Sequence, residues 1–152
     1  MPLAPGDRAP RFRLADIATG DVVTEPWADG PLALVFFKVT CPVCQMVAPV
    51  VQAMADGGAP VVAIGQDPPA KLQSYRDRYG QRVTTLSESP PYIVSDAYRI
   101  TAVPTLFLVG SDGTVEQVAG AWDRKGWNAV ATALGAPAVS ADGDGLPPYR
   151  PG

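Results

Sequence analysis

The chain of 152 residues contains only two cysteines, Cys41 and Cys44, which are separated by two residues in the stretch "CPVCQ". On a helix, residues at this spacing lie on nearly the same face, so one sulfur atom can attack a disulfide formed on the other. Such a pair can serve as a metal clip, a structural disulfide, a peroxide-reducing site or a dithiol for disulfide exchange. Composition and predicted position help to distinguish these uses.

No metal site is predicted for this pair. Zinc takes about four protein ligands from Cys, His and carboxylate side chains, whereas the chain has no histidine and no third cysteine. A structural disulfide is also disfavoured, because joining residues so close in sequence closes a small loop and removes little entropy from the unfolded chain. A redox-active dithiol is the favoured interpretation. It carries electrons itself, so no bound cofactor is expected.

The predicted elements place the pair where a sheet edge meets a helix. The apolar run Leu32–Lys38 does not alternate and predicts a central strand covered on both faces. A helical pattern follows from Pro42 to about Ala55. At the first turn of that helix, free backbone N–H groups and the helix dipole favour a thiolate on Cys41. We predict that Cys41 attacks and that Cys44, one turn deeper and less exposed, resolves the mixed disulfide.

Strand and helix patterns alternate along the rest of the chain. They predict an N-terminal β-hairpin (Phe12–Leu14 with Asp21–Thr24), strands at 60–66 and 83–86, helices at 70–79, 92–98 and 123–134, and a hairpin across 105–120. This order predicts an α/β fold with a mixed central β-sheet flanked by helices. Residues 1–135 are assigned to this domain. Residues 136–152, rich in Pro, Gly and Asp, are predicted to form a flexible C-terminal tail.

Charge and hydropathy argue against two classes of partner. The net charge is −3 and no basic run is present, so nucleic acid is not an expected partner. The longest apolar run, Leu32–Phe37, is too short to cross a bilayer. The N-terminal stretch lacks the apolar core of a signal peptide. A cytoplasmic protein is therefore expected if Met1 is the natural start, and an exported one if the N-terminus was trimmed.

Two stretches resemble the thioredoxin superfamily. "CPVCQMVAP" is similar to the active-site helix of that family, including the proline at Pro49, and "ITAVPTLFLV" is similar to its cis-proline loop. The resemblance covers about Pro10 to Leu134. It implies a thioredoxin-like fold and thiol–disulfide oxidoreductase activity. It also implies a substrate-binding surface beside the dithiol, formed by Pro42, Val43, Val103 and Pro104. The peptide bond between Val103 and Pro104 is expected to be cis.

Within the superfamily, the opening "PGDRAPRFRLADIATGDVV" resembles the N-terminal hairpin of the TlpA/ResA-like redoxins. Thioredoxin has a buried aspartate where this chain has Val35. Glu88 lies in the segment where the resemblance to TlpA-like proteins implies a carboxylate, so it is the candidate proton acceptor for Cys44, with a solvated loop carboxylate as the alternative. Lys38 is a candidate for electrostatic tuning of the thiolate, or else ends its strand in water. Val43 cannot stabilise a thiolate as the histidine of strong oxidants does, so the expected reduction potential lies nearer about −270 mV than about −120 mV.

The predicted function is thiol–disulfide exchange, as a reductant, with a disulfide-containing protein or small thiol substrate and an unidentified electron donor. One alternative is a peroxiredoxin, which carries the pattern PxxxTxxC. Here Leu34 and Lys38 occupy the Pro and Thr positions of that pattern, and Thr40 lies next to Cys41 instead. Another alternative is a non-catalytic module with a redox-sensing or metal-linked CxxC motif.

Overall fold

A computed structural model describes residues 1–152, and its centre is a seven-stranded mixed β-sheet. The strands are β1 (Leu14–Asp16), β2 (Val22–Val23), β3 (Leu32–Phe37), β4 (Val61–Gly65), β5 (Thr84–Ser87), β6 (Thr105–Val109) and β7 (Val115–Ala119). The helices are α1 (Pro42–Asp56), α2 (Pro69–Tyr79), α3 (Ile93–Ala97) and α4 (Arg124–Ala133), with a 3₁₀ helix at Pro26–Asp29. The strand order is β2-β1-β5-β4-β3-β6-β7. The predicted α/β class is confirmed.

Strand β3 lies at the centre of the fold. It pairs in parallel with β4 and antiparallel with β6. All six of its residues are buried. Ala33, Val35 and Phe37 join one apolar cluster, while Leu34 and Phe36 join another on the opposite face. Cover on both faces explains why this strand is an unbroken apolar run.

Helices α1, α2 and α4 pack on one face of the sheet. Val47, Leu72 and Trp127, one from each helix, belong to the same buried cluster. On the other face, the N-terminal segment and α3 come together, and the rings of Phe12 and Tyr98 lie edge to face at 6.4 Å. The helix that carries the two cysteines is thus supported along its length by the larger cluster.

The N-terminal hairpin is confirmed, with its first strand two residues later than predicted. Strands β1 and β2 pair antiparallel, and Ala15 of β1 pairs with Ser87 of β5, which joins the hairpin to the main sheet. Phe12, predicted to start the first strand, is instead buried in the smaller apolar cluster. None of the helices is long and apolar enough to span a membrane.

Residues 136–152 differ from the flexible tail that their composition predicts. They fold back along α4, and their last strand, β9 (Tyr149–Arg150), pairs antiparallel with β8 (Trp122–Asp123). The indole N–H of Trp122 donates to the carbonyl of Pro147 at 2.7 Å. A segment poor in apolar residues is therefore held by polar contacts to the domain.

Two side chains of α4 supply most of these contacts. Arg124 donates to the hydroxyl of Ser140 at 3.0 Å and to the carbonyl of Leu146 at 2.8 Å. Asn128 donates to the carbonyl of Ser140 at 2.8 Å and accepts from the backbone N–H of Val139 at 2.8 Å. Fixed side chains thus satisfy the backbone of the segment, which a prediction from composition does not take into account.

Arg124→Ala is expected to lower the free energy of unfolding by about 1.5–3 kcal/mol, the usual contribution of hydrogen bonds to a charged group. Only 13% of the Arg124 side chain is exposed, so water does not readily replace those bonds. Urea unfolding followed by circular dichroism measures the change. Asp142→Asn is the matched control, because this fully exposed partner of Arg124 is expected to contribute little. If Arg124→Ala were as stable as the parent, the proposed anchoring of the segment would be wrong.

Candidate dithiol site

Cys41 lies between the end of β3 and the start of α1. It is the N-cap residue of the helix, in an extended conformation, and its sulfur accepts a hydrogen bond from the backbone N–H of Cys44 at 3.2 Å. Pro42 occupies the first helical position, where its missing N–H leaves no donor unsatisfied. An amide N–H and the positive end of the helix dipole therefore point at the Cys41 sulfur.

The two thiols differ in their surroundings. Both cysteines are free; Cys41 is partly exposed, whereas Cys44 is only 1% exposed and lies in the larger apolar cluster. Burial, followed by the hydrogen bond with Cys41, raises the pKa of the Cys44 thiol well above its usual value. Solvent therefore reaches Cys41 more readily than Cys44.

The backbone of Val103 lies directly beside Cys41. The Cys41 thiol donates to the Val103 carbonyl at 3.4 Å, although the two residues are 62 positions apart in the sequence. Phe36 near the end of β3 pairs with Thr105 at the start of β6, which brings both loops to the same sheet edge. The Val103–Pro104 peptide bond is cis, as the resemblance implied.

The loop that carries Cys41 is held by two side chains. The Asp67 carboxylate accepts from the Val39 N–H at 2.9 Å, and the Gln45 amide donates to the Val39 carbonyl at 2.8 Å. The helical pattern from about residue 70 favours Asp67 as a capping residue of α2. In the structure Pro68 is the N-cap, without a side-chain hydrogen bond, and Asp67 points to the dithiol loop instead. One sequence feature could have indicated this role of Asp67: it is a polar residue at the carboxyl end of β4, the strand beside β3, and this is the sheet edge where functional residues usually lie.

Tyr75 supports the resolving cysteine, a role that sequence reasoning missed. Its hydroxyl donates to the Cys44 carbonyl at 2.9 Å. Its ring lies between those of Phe37 and Tyr79, with centroid distances of 5.0 Å and 4.9 Å. Burial raises the pKa of the Tyr75 hydroxyl, so it remains a hydrogen-bond donor. Helix α2 is thereby tied to the first turn of α1.

The two residues between the cysteines are placed differently. Pro42 is exposed and available to a partner. Val43 is only 4% exposed and packs in the larger apolar cluster. The structure therefore places one of the two predicted substrate contacts at the surface and the other in the core.

Glu88 and Lys38 make contacts away from the cysteines. Glu88 is not solvated: it is 2% exposed, and its carboxylate accepts from the N–H of Ser95 at 2.7 Å and from the Ser95 hydroxyl. Ser95 lies in α3, on the opposite face of the sheet from α1. The Lys38 ammonium lies 5.8 Å from the centroid of the Tyr92 ring, a cation–π contact. Neither side chain forms a hydrogen bond with Cys41 or Cys44.

Solved structures with a similar fold include several thiol–disulfide oxidoreductases. MTB DsbF, described in mixed oxidised and reduced forms, has a TM-score of 0.71 and 25% identity, covering 87% of this chain and 99% of that one. A secreted disulfide oxidoreductase of Mycobacterium tuberculosis, homologous to E. coli DsbE, has a TM-score of 0.67 and 21% identity, covering 82% and 96%. The thioredoxin domain of a thiol–disulfide oxidoreductase from Bacteroides vulgatus has a TM-score of 0.75 and 17% identity, covering 87% and 99%. The thioredoxin-like fold is confirmed.

Sequence comparison gives a family. No curated protein matches the chain significantly. The AhpC/TSA family profile matches residues 5–118, which include both cysteines and the Val103–Pro104 loop. Because this match spans well over half of the sequence, the chain belongs to the AhpC/TSA family.

Proposed function

We propose that the protein is a thiol–disulfide oxidoreductase that reduces disulfides in protein or small-molecule partners. The Cys41 thiolate attacks one sulfur of the substrate disulfide and forms a mixed disulfide, while the other substrate sulfur leaves as a thiolate and takes up a proton. Cys44 then loses its proton and attacks the Cys41 sulfur, which forms the Cys41–Cys44 disulfide and releases the second substrate thiol. Two electrons pass to the substrate, and an external dithiol reductant must return them.

The observation that carries this proposal is the contrast between the two thiols at one helix N-terminus. Cys41 is partly exposed, and its sulfur accepts a hydrogen bond from the Cys44 N–H at 3.2 Å, so a donor lies beside the atom that must attack. Cys44 is buried beneath it, and the raised pKa of its thiol keeps it protonated until a mixed disulfide forms. This arrangement allows attack by one sulfur and resolution by the other.

Val103 supports a polypeptide as one class of substrate. Its carbonyl lies 3.4 Å from the Cys41 sulfur, so an extended chain that pairs with this backbone would bring its disulfide to the nucleophile. The similar structures described as disulfide oxidoreductases support the same type of chemistry. The direction is proposed as reducing because Val43, next to Cys44, offers no charge or hydrogen bond to a thiolate.

Peroxide reduction, the rival on the same fold, has less support. Leu34 is fully buried in the centre of β3, and Lys38 contacts the Tyr92 ring, so neither position supplies the Pro and Thr of a peroxidatic motif. Insulin reduction and peroxide consumption, measured side by side, separate these activities. Purified protein that holds stoichiometric zinc or iron and reduces no insulin would instead be a non-catalytic binding module.

Cys44→Ser is expected to trap the substrate, because the mixed disulfide on Cys41 then has no resolving thiol. Non-reducing electrophoresis and mass spectrometry should detect an adduct at Cys41 after incubation with a disulfide-containing protein. Cys41→Ser is the matched control and should form no adduct. If Cys44→Ser also formed none, thiol–disulfide exchange would be refuted.

Iodoacetamide is expected to modify Cys41 before Cys44 in the reduced, folded protein near neutral pH. Burial raises the pKa of Cys44, so its thiol stays protonated at pH values where a free thiol already ionises. Peptide mapping after timed quenching measures both rates, and the unfolded protein, in which both thiols are accessible, serves as the control. Faster reaction at Cys44 in the folded state would reverse the assigned roles.

Asp67→Ala is expected to lower the free energy of unfolding by about 1–3 kcal/mol, because the Val39 N–H loses its acceptor. Activity towards insulin should also fall, since this bond positions the loop before Cys41. Asp67→Asn keeps an oxygen that can accept the bond and should restore most of both quantities. Asp77→Ala, which removes an exposed carboxylate of α2, is the control and should behave as the parent. Equal effects of Asp67→Ala and Asp77→Ala would exclude the positioning role.

A further inference from the structure

The end of the segment that follows α4 lies against the dithiol site. Strand β9 pairs with β8, with Trp122 opposite Arg150, and this pairing directs the following residues towards the cis-proline loop. Gly152 contacts the Val103 carbonyl so closely that a methyl group at this glycine would overlap with it, and would lie 3.3 Å from Cδ of Pro104. The same carbonyl accepts the hydrogen bond from Cys41.

A second set of contacts covers the adjoining face of α1. The Arg150 guanidinium lies 3.9 Å from the sulfur of Met46, two residues after Cys44. Leu146 packs on the same apolar cluster as Cys41 and Val103. Pro104, expected to face a substrate, is itself buried. The segment therefore overlies the surface around Cys41, which is partly exposed.

The covering part is held more weakly than the part before it. Only two residue pairs join β8 to β9, and two-stranded ladders of this kind are at most marginally stable by themselves. Tyr149 is 59% exposed and contributes little burial. By contrast, Arg124 anchors the segment at Ser140 and Leu146. Pro147 and Pro148 also stay attached, because the Trp122 indole N–H donates to the Pro147 carbonyl at 2.7 Å and the Arg124 backbone N–H donates to the Pro148 carbonyl at 3.0 Å. Residues 149–152 can therefore leave the site while the rest of the segment stays in place.

We propose that residues 149–152, which we call the strap, occupy the docking surface for polypeptide substrates and compete with them. The proposal rests on the proposed function. Pro147 and Pro148 precede the strap and Pro151 lies within it; these prolines keep the end of the segment extended and lower the entropy lost on docking. A protein substrate that pairs with the Val103 backbone must displace the strap. A small disulfide, which needs only the Cys41 sulfur, does not have to.

This competition predicts a particular kinetic signature. A tethered segment acts at an effective concentration of the order of millimolar. The apparent affinity for a competing partner falls in proportion to the fraction of molecules in which the site is open. If the strap is docked in about nine molecules out of ten, KM for a protein substrate is raised about tenfold, while kcat is unchanged.

The test compares two double variants of the full chain. Tyr149→Gly/Arg150→Gly removes the Met46 contact and loosens the strap at two exposed positions. Ala138→Gly/Ala141→Gly changes two exposed positions of the same segment that have no side-chain contact with the site. The first variant should lower KM for insulin several-fold, with kcat and the rate towards hydroxyethyl disulfide unchanged. The second should match the parent in all three quantities.

Two further measurements do not depend on turnover. In a Cys44→Ser background, loosening the strap should raise the rate at which a polyethylene-glycol maleimide modifies Cys41, while the iodoacetamide rate changes little. A synthetic peptide, LPPYRPG, added at millimolar concentration should slow the bulky reagent again. If the strap variant changes neither KM nor the maleimide rate, the competition is refuted and the oxidoreductase proposal stands. If no variant reduces any disulfide, the oxidoreductase proposal fails, and the maleimide rates alone decide whether the strap covers Cys41.

Discussion

The antiparallel register of β3 and β6 is the constraint on which the site depends. It pairs Phe36 with Thr105, so the chain that leaves β3 towards Cys41 runs beside the chain that enters β6 from Val103. A shift by one residue would turn every side chain of the strand to the opposite face. It would also move the Val103 carbonyl away from the Cys41 sulfur, which now lies 3.4 Å from it. The hydrogen bonds of the central sheet thus set the distance between the nucleophile and the backbone beside it.

Solvation then gives two identical side chains different chemistry. Cys41 caps α1 at the sheet edge, where an amide N–H meets its sulfur, while Cys44 is enclosed by the apolar cluster beneath. Asp67 and Gln45 hold the loop before Cys41 through hydrogen bonds, and so keep Cys41 at the sheet edge. Tyr75 holds the carbonyl of Cys44 in the same way. The polar contacts orient the dithiol, and the apolar cluster determines which of its sulfurs meets solvent.

Residues 136–152 show how polar contacts can order a segment that has little apolar surface. Arg124 and Asn128 project from α4 and satisfy the backbone at Ser140 and its neighbours. Past Pro148, the last residue hydrogen-bonded by Arg124, the contacts become fewer, and the chain reaches the cis-proline loop in an extended form. The segment is therefore attached less strongly towards the dithiol. This allows the strap to be displaced while the rest of the segment stays bound.

The sequence by itself determined the α/β class and the central strand, because strand burial and helix start are local patterns. The order in which the two thiols react stays a prediction from their spacing and their positions on the helix. The sequence did not determine the partners of Asp67, Tyr75 and Glu88, nor the path of residues 136–152. A capping position is a sound local expectation for Asp67, but β4 and β3 lie side by side and offer it the Val39 N–H instead. These contacts join residues that are distant in sequence. The spacing of residues along the chain does not show which distant group a polar side chain will bind. Only the folded sheet brings each donor and acceptor within hydrogen-bond distance.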